Sequence, residues 1–310
     1  MLKFITKRLV MIMPVILGIS FIIFSIMALT PGDPARLILG ENASQEDVEA
    51  LREEMGLNEN FVIRYVKYIA NVVQGNFGTS YRNNIPVYDE VFSRFPNTLV
   101  LAFWGISLSV LIGVPVGIIS AVKQYSIIDT LSLGTALILT SIPAFWFGLM
   151  LILLFSLKLN MFPSTGVDTW KHFVLPSVTL AAGTMATLIR MTRSTMLEVI
   201  RQDYIRTARA KGAGEKRIIF KHALRNALLP VITIIGINFG FQLGGAMVIE
   251  TVFAMPGLGT LMITSVRLKD TPMVMASVLF VAVAISLVNL CVDILYSYVD
   301  PRIKSQYSKS

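Results

Sequence analysis

Long uncharged hydrophobic runs alternate along this chain with shorter charged stretches. Six runs, 9–29, 98–122, 130–157, 173–192, 230–252 and 273–297, are long enough to cross a bilayer. A hydrocarbon core of about 30 Å needs about 20 apolar residues in a helix. The pattern therefore predicts an all-α polytopic membrane protein with six transmembrane helices. The first run follows Lys3, Lys7 and Arg8. Its apolar stretch is longer than the h-region of a signal peptide, and Ala28-Leu29-Thr30 makes a poor cleavage site, so it is expected to stay as an anchor.

Residues 31–96 separate the first two runs and carry their own helical signals. Ser44-x-x-Asp47 reads as a capping box that opens a helix through Met55, with Gly56 as its stop. Phe61, Tyr65, Tyr68, Ile69 and Val72 recur at helical spacing. Gly78–Asn84 reads as loop, and Pro86–Phe95 as a further short helix. The expectation is a small helical segment outside the membrane.

Charge orients the spans. The net charge of +8 would point to nucleic acid in a soluble protein. Here the charges sort by loop. The 193–229 stretch carries nine basic residues (Arg193, Arg201, Arg206, Arg209, Lys211, Lys216, Arg217, Lys221, Arg225) against three acidic ones. Residues 31–96 carry ten acidic and six basic residues. The positive-inside rule places both termini and residues 193–229 in the cytoplasm, and 31–96 outside. Only 15% of the residues are charged, against about 25% in soluble domains. The single cysteine, Cys291, excludes a disulfide framework, and His172 and His222 share no metal-ligand spacing.

Small residues recur every fourth position in the second span (Gly105, Ser109, Gly113, Gly117, Ala121) and in the fifth (Gly236, Gly240, Gly244). Such stripes let helix backbones approach closely. Three uses stay open: packing within the bundle, packing against a second subunit, or a flexible seam along a pathway. Pro115 and Pro143 predict kinks in spans two and three. Arg190, Glu250 and Asp293 are the charges near span ends, with Glu250 and Asp293 the candidates for gating or helix pairing. No span carries a carboxylate at mid-depth, which argues against an ion-coupled carrier. No cluster of titratable groups suggests a membrane enzyme. No Gly-x-x-x-x-Gly-Lys-[Ser/Thr] loop is present to hold nucleotide phosphates.

The stretch between spans four and five carries the most information. Thr195–Lys211 has few helix breakers, and Gly212 can end a helix in the left-handed region. A second helix fits Glu215–Leu229, and Pro230 then opens the fifth span. A basic loop touching anionic lipid accounts for the charges. It leaves Thr207, Ala208 and Ala210 unexplained, small residues before the glycine where another protein surface can come close.

Asp203–Gly212 (Asp-Tyr-Ile-Arg-Thr-Ala-Arg-Ala-Lys-Gly) and His222–Pro230 resemble the coupling segment of ABC-importer permeases of the peptide and nickel branch. Arg206-Thr207 stands where the general family pattern has Glu-Ala, and Leu229-Pro230 lies further from the glycine. Both departures are similar to that branch. So are Thr30-Pro31-Gly32-Asp33-Pro34, Phe95-Pro96-Asn97-Thr98-Leu99, Ile249–Phe253 with Pro256-Gly257-x-Gly259, and Asp300-Pro301-Arg302. The likeness runs over nearly the whole chain and points to the B-type, first permease subunit.

The resemblance implies an organisation. Residues 1–29 are the anchor and 30–96 the extracytoplasmic helical segment. Residues 97–298 form a type-1 permease domain, with coupling at about 195–229, and 299–310 form a cytoplasmic tail. It implies a multi-pass protein of a bacterial inner membrane. The partners implied are a C-type permease, two cytoplasmic ATPase subunits and an external substrate-binding protein, with no nucleic acid. The partner ATPases hold ATP and Mg, and this chain holds no cofactor or metal. Asp203, Tyr204, Thr207, Ala208, Ala210, Lys211 and Gly212 are the expected ATPase-coupling residues. Peptide is the first substrate class and nickel or a metal chelate the alternative.

Overall fold

The computed structural model describes residues 2–30, 32–40 and 42–299. The Asp300-Pro301-Arg302 motif, Pro31 and the tail beyond 299 lie outside them. Thirteen helices follow one another among the described residues, with no strand beyond an isolated bridge between Thr79 and Pro86. Five stretches are long and apolar enough to cross a membrane: Arg8–Leu29, Val87–Val122, Lys171–Ile200, Glu215–Gly244 and Thr271–Ile294. Ile127–Ser141 and Ala144–Lys158 make a sixth if counted together. The chain forms two compact units. One comprises Met1–Thr98 and Pro256–Ala284; the other comprises Leu99–Met255 and the chain from Ile285.

The first unit begins with α1 (Leu2–Leu29), α2 (Pro34–Leu39), α3 (Gln45–Glu54) and α4 (Phe61–Val73). The Ser44 cap is present. Its hydroxyl accepts from the Asp47 N–H at 3.1 Å, and Gly56 follows the helix at φ +66. Asp33 caps α2 by accepting from the Ala35 N–H at 3.1 Å. α4 lies on α1 through Phe21, Phe24, Phe61 and Tyr65, whose rings meet edge to face or tilted at 5.2–5.9 Å.

Pro86–Phe95 is not a separate helix. It is the first part of α5 (Val87–Val122), which runs unbroken through Pro96 and Pro115. The core of this unit joins Val87 and Val91 to Leu258 and Leu261 of α12 (Leu258–Arg267) and to Met273 and Ala276 of α13 (Thr271–Val299). Two motifs about 160 residues apart in sequence meet here. The Leu258 N–H donates to Thr98 Oγ1 at 2.8 Å, and Asn97 Nδ2 donates to the Pro256 carbonyl at 2.9 Å. Thr98 thus satisfies an orphan N–H at the start of α12.

In the second unit the third run is sharply bent rather than one straight helix. α6 (Ile127–Ser141) and α7 (Ala144–Leu151, continuing as a π-helical stretch Ile152–Lys158) meet at 101°. Pro143 does more than kink. It forces the residue before it out of the helical region, and Ile142 is extended at φ −84, ψ 126. α8 (Lys171–Ile200) is the central helix, packed by α6, α7 and α11 (Leu224–Val252).

Candidate functional site

The stretch after α8 differs from its expected form. α8 stops at Ile200, Gln202 is extended at ψ 150, and a separate eight-residue helix, α9, occupies Asp203–Ala210. The second expected helix is fused to the fifth span. α10 (Glu215–Arg217), a π-helical stretch Ile218–Ala223 and α11 follow without a break, so Pro230 sits inside α11 rather than at its start.

Eight residues are too few to hold a helix alone. α9 is held at three points. Ile205 is fully buried in a cluster with Ala121, Met196, Ile218, Ala223 and Ala227. Tyr204 Oη accepts from Asn226 Nδ2 at 2.8 Å, which joins the two halves of the sequence motif. The C-terminus closes on Gly212 at φ +80: the Ala213 N–H donates to the Ala208 carbonyl at 3.1 Å and the Gly212 N–H to the Arg209 carbonyl at 2.9 Å. This pair of bonds is the Schellman cap, and glycine takes its left-handed residue without strain. Arg209 spans the turn to Glu215 at 2.8 Å, and those bonds raise the guanidinium pKa.

At 100° per residue, Asp203, Arg206, Thr207 and Ala210 share the face opposite Ile205, and all four are exposed. Lys211 and Gly212 are exposed beyond them, and Tyr204 is exposed to the side. Ala208 is half-buried on the Ile205 side. The expected coupling residues are therefore contiguous, with Thr207 and Ala210 as the outward small residues.

The other singled-out positions lie elsewhere. Gly113 and Gly117 of α5 press on α8. A Cβ at Gly113 lies 3.0 Å from Leu188 Cβ, and one at Gly117 lies 2.7 Å from Thr192 Cβ and 2.8 Å from the Ile189 carbonyl. Gly236 presses on α13, where a Cβ would run into the Val292 side chain. At Gly240 the nearest atom is Ile285 Cγ2 at 3.4 Å, and at Gly244 a Cβ meets nothing within 4 Å. Glu250 is buried and Asp293 half-buried, on α11 and α13.

One constellation was missed in the sequence. Asp129, in the first turn of α6, accepts from Arg193 Nε at 2.6 Å and Nη2 at 2.8 Å. It also accepts from Ser120 Oγ at 2.5 Å and the Tyr125 N–H at 2.9 Å. The side chains are 4% and 19% exposed. This buried fork ties α5, α6 and α8 together. Ser120 immediately precedes Ala121, and Arg193 lies three residues before Met196, both in the cluster that seats Ile205. The available signal was Ser126-x-x-Asp129, the same capping pattern as Ser44-x-x-Asp47. The Asp129 N–H does bond Ser126 Oγ at 3.3 Å.

The chain matches the family described as binding-protein-dependent transport system inner membrane component over residues 113–305. It matches the N-terminal part of that component over residues 1–102. It belongs to this family. The glutathione transport system permease protein GsiC of Escherichia coli (strain K12) is 42% identical over 304 residues, 98% of this chain and 99% of that one. The oligopeptide transport system permease protein AppB of Bacillus subtilis (strain 168) is 45% identical over 315 residues, 98% of this chain and 100% of that one. Among solved structures, the MetNI methionine ABC transporter in inward-facing conformations matches with TM-score 0.57 at 21% identity. That match covers 68% of this chain and 96% of the other, and it shows the fold. This permease is thus a multi-pass inner-membrane subunit of an ABC importer, a transport component rather than an enzyme.

Proposed function

We propose that this permease forms half of the translocation pathway of an importer for di- or oligopeptides, and that α9 is the surface through which a cytoplasmic ATPase moves it. The observation that carries the docking assignment is the construction of α9: a short helix with Ile205 sunk in the core and Asp203, Arg206, Thr207 and Ala210 turned outward. In this reading both termini and residues 193–229 are cytoplasmic, as the loop charges favour. The assembly has a second, C-type permease, two ATPase subunits that hold ATP and Mg, and an external binding protein that delivers substrate. Closure of the ATPase pair displaces α9, and α8 and α11 carry the displacement into the spans, a two-state change biased by the partner. GsiC and AppB, named for glutathione and oligopeptide, support a short-peptide substrate.

The test is uptake and substrate-stimulated ATP hydrolysis by the reconstituted complex. Thr207→Arg and Ala210→Arg place bulk on the outward face without touching Ile205. Both activities should fall at least about tenfold, equal to about 1.4 kcal/mol of lost docking, while the two permeases still co-purify. Wild-type uptake with wild-type ATPase retention in both variants would remove α9 from the interface.

A further inference from the structure

We propose that α4 lies in the bilayer, embedded beside α1 in the leaflet away from Arg8, with its exposed valines in contact with lipid. The argument begins with depth. Arg8 is the last charge before an uncharged run from Leu9 to Thr30. At about 1.5 Å per residue, a core of about 30 Å is crossed by about 20 residues, which takes the hydrocarbon from Leu9 to the neighbourhood of Ala28. α4 meets α1 inside this interval. Tyr65 Oη donates to the Leu17 carbonyl at 3.0 Å and shares a hydrogen bond with Ser20 Oγ at 2.8 Å. The Phe61, Tyr65 and Tyr68 rings lie 5.3–5.9 Å from that of Phe24. Leu17 and Phe24 stand about 16 Å and about 6 Å short of Ala28 along the helix. A helix fastened there cannot lie wholly above the membrane.

The surface chemistry of α4 agrees. Its aromatic stripe of Phe61, Tyr65 and Tyr68 is spent on α1. Its charged side chains are partnered: Lys67 Nζ meets Glu59 Oε1 at 2.5 Å, and the Arg64 guanidinium sits 5.9 Å from the Phe24 ring centre. A second apolar arc remains. At 100° per residue, Val62, Val66 and Val73 fall within about 40° of one another, with Ile63 at their edge. They are 61%, 59%, 82% and 51% exposed. α1 itself presents Leu17, Phe21, Ile22 and Ile26 at 46–57% exposure, and only 11% of its most apolar window is buried within the chain. Two adjoining helices therefore show apolar surface at one depth, and the solvent at that depth is lipid. Interfacial amphipathic helices bury their apolar face about 5–10 Å into the membrane, a range the contacts with α1 overlap.

The experiment places a bimane label at Val62→Cys, Val66→Cys or Asn71→Cys. The background is Cys291→Ser, because Cys291 is exposed. The assembled importer is held in nanodiscs of phosphatidylcholine and phosphatidylglycerol, and variants that retain uptake are read. Lipids carrying a nitroxide on the acyl chain should quench labels at positions 62 and 66, and aqueous iodide should not. The label at 71, on the polar side, should show the reverse. Iodide quenching at 62 and 66 overturns the proposal, including where added binding protein abolishes it, which would make the arc a protein-docking face. Shielding of both labels from iodide and nitroxide alike also overturns it, because another subunit would then cover the arc.

Discussion

The Asp129–Arg193 fork tests whether α6 and α8 are clamped beside α9. Arg193→Ala removes two charge-assisted hydrogen bonds from a carboxylate that is 4% exposed. Removing one partner of a buried ion pair costs about 3–5 kcal/mol, because the survivor is left uncompensated. Two features place this pair at the lower end of that range. Ser120 and the Tyr125 N–H remain as donors to Asp129, and Arg193 is 19% exposed. The expected loss is about 3 kcal/mol for Arg193→Ala, and a similar loss for Asp129→Ala, which strands the guanidinium. Replacing both residues by apolar ones, Asp129→Leu with Arg193→Met, should cost much less than the sum, since buried pairs are often exchanged for hydrophobic residues at little net cost. The assay is equilibrium unfolding of the chain in mixed detergent micelles, read as a double-mutant cycle of Asp129→Ala, Arg193→Ala and the variant that carries both. A coupling of about 2–3 kcal/mol is expected. In the complex the single variants should also spend more ATP per substrate moved, because α8 can then shift without α6. A coupling below about 0.5 kcal/mol, the range of exposed ion pairs, would show that the fork is not a clamp.

Two further outcomes follow from the glycines. Gly117→Ala should destabilise the isolated chain by about 1–2 kcal/mol despite the better helix propensity of alanine, because the new methyl meets the immovable Ile189 carbonyl at 2.8 Å. Gly183→Ala, with nothing within 4 Å, should instead stabilise it by up to about 1 kcal/mol; thermal unfolding with the same sign for both would refute the packing argument. At Gly212, φ +80 with open space around it makes the penalty one of backbone alone, so Gly212→Val should cost about 1–2 kcal/mol and lower uptake, and Gly212→Asn should be milder. Equal uptake by the two variants would show that the left-handed cap does not aim α9.

How much of this was legible follows from which signals are local. The long apolar runs showed because each is long enough to span by itself. Ser44 and Gly56 showed because a cap is read from four adjacent residues. The break at Ile142 was half visible: Pro143 announces a disturbance, and only the geometry of the residue before it turns a kink into 101°. The short helix expected over Pro86–Phe95 instead runs on into the second span, because Pro96 sits within an unbroken helix. The gap between α8 and α9 carries no glycine or proline, and its marker, an extended Gln202 before the acidic Asp203, is weak. Asp129 was overlooked for another reason. It stands at the edge of a hydrophobic run, and its partner lies 64 residues away among charges already accounted for by the positive-inside rule.

The motifs that carried the family resemblance become intelligible as contacts. Thr98 caps α12, Asn97 holds the Pro256 carbonyl, and Asn226 holds Tyr204. In each pair a side chain serves a group far along the chain, so neither half of the motif has a reason without the other. This bears on how α9 works. A helix of eight residues has little stability of its own, and its orientation is inherited from Ile205, from Asn226 on α11 and from the Gly212 turn. Force applied to its outward face therefore passes to α8 and α11 rather than being absorbed by bending α9. The Asp129–Arg193 fork extends the rigid body to α6. If α9 is the docking surface proposed above, a helix fastened in this way moves α6, α8 and α11 together, which is what an importer driven by a separate ATPase requires of its permease.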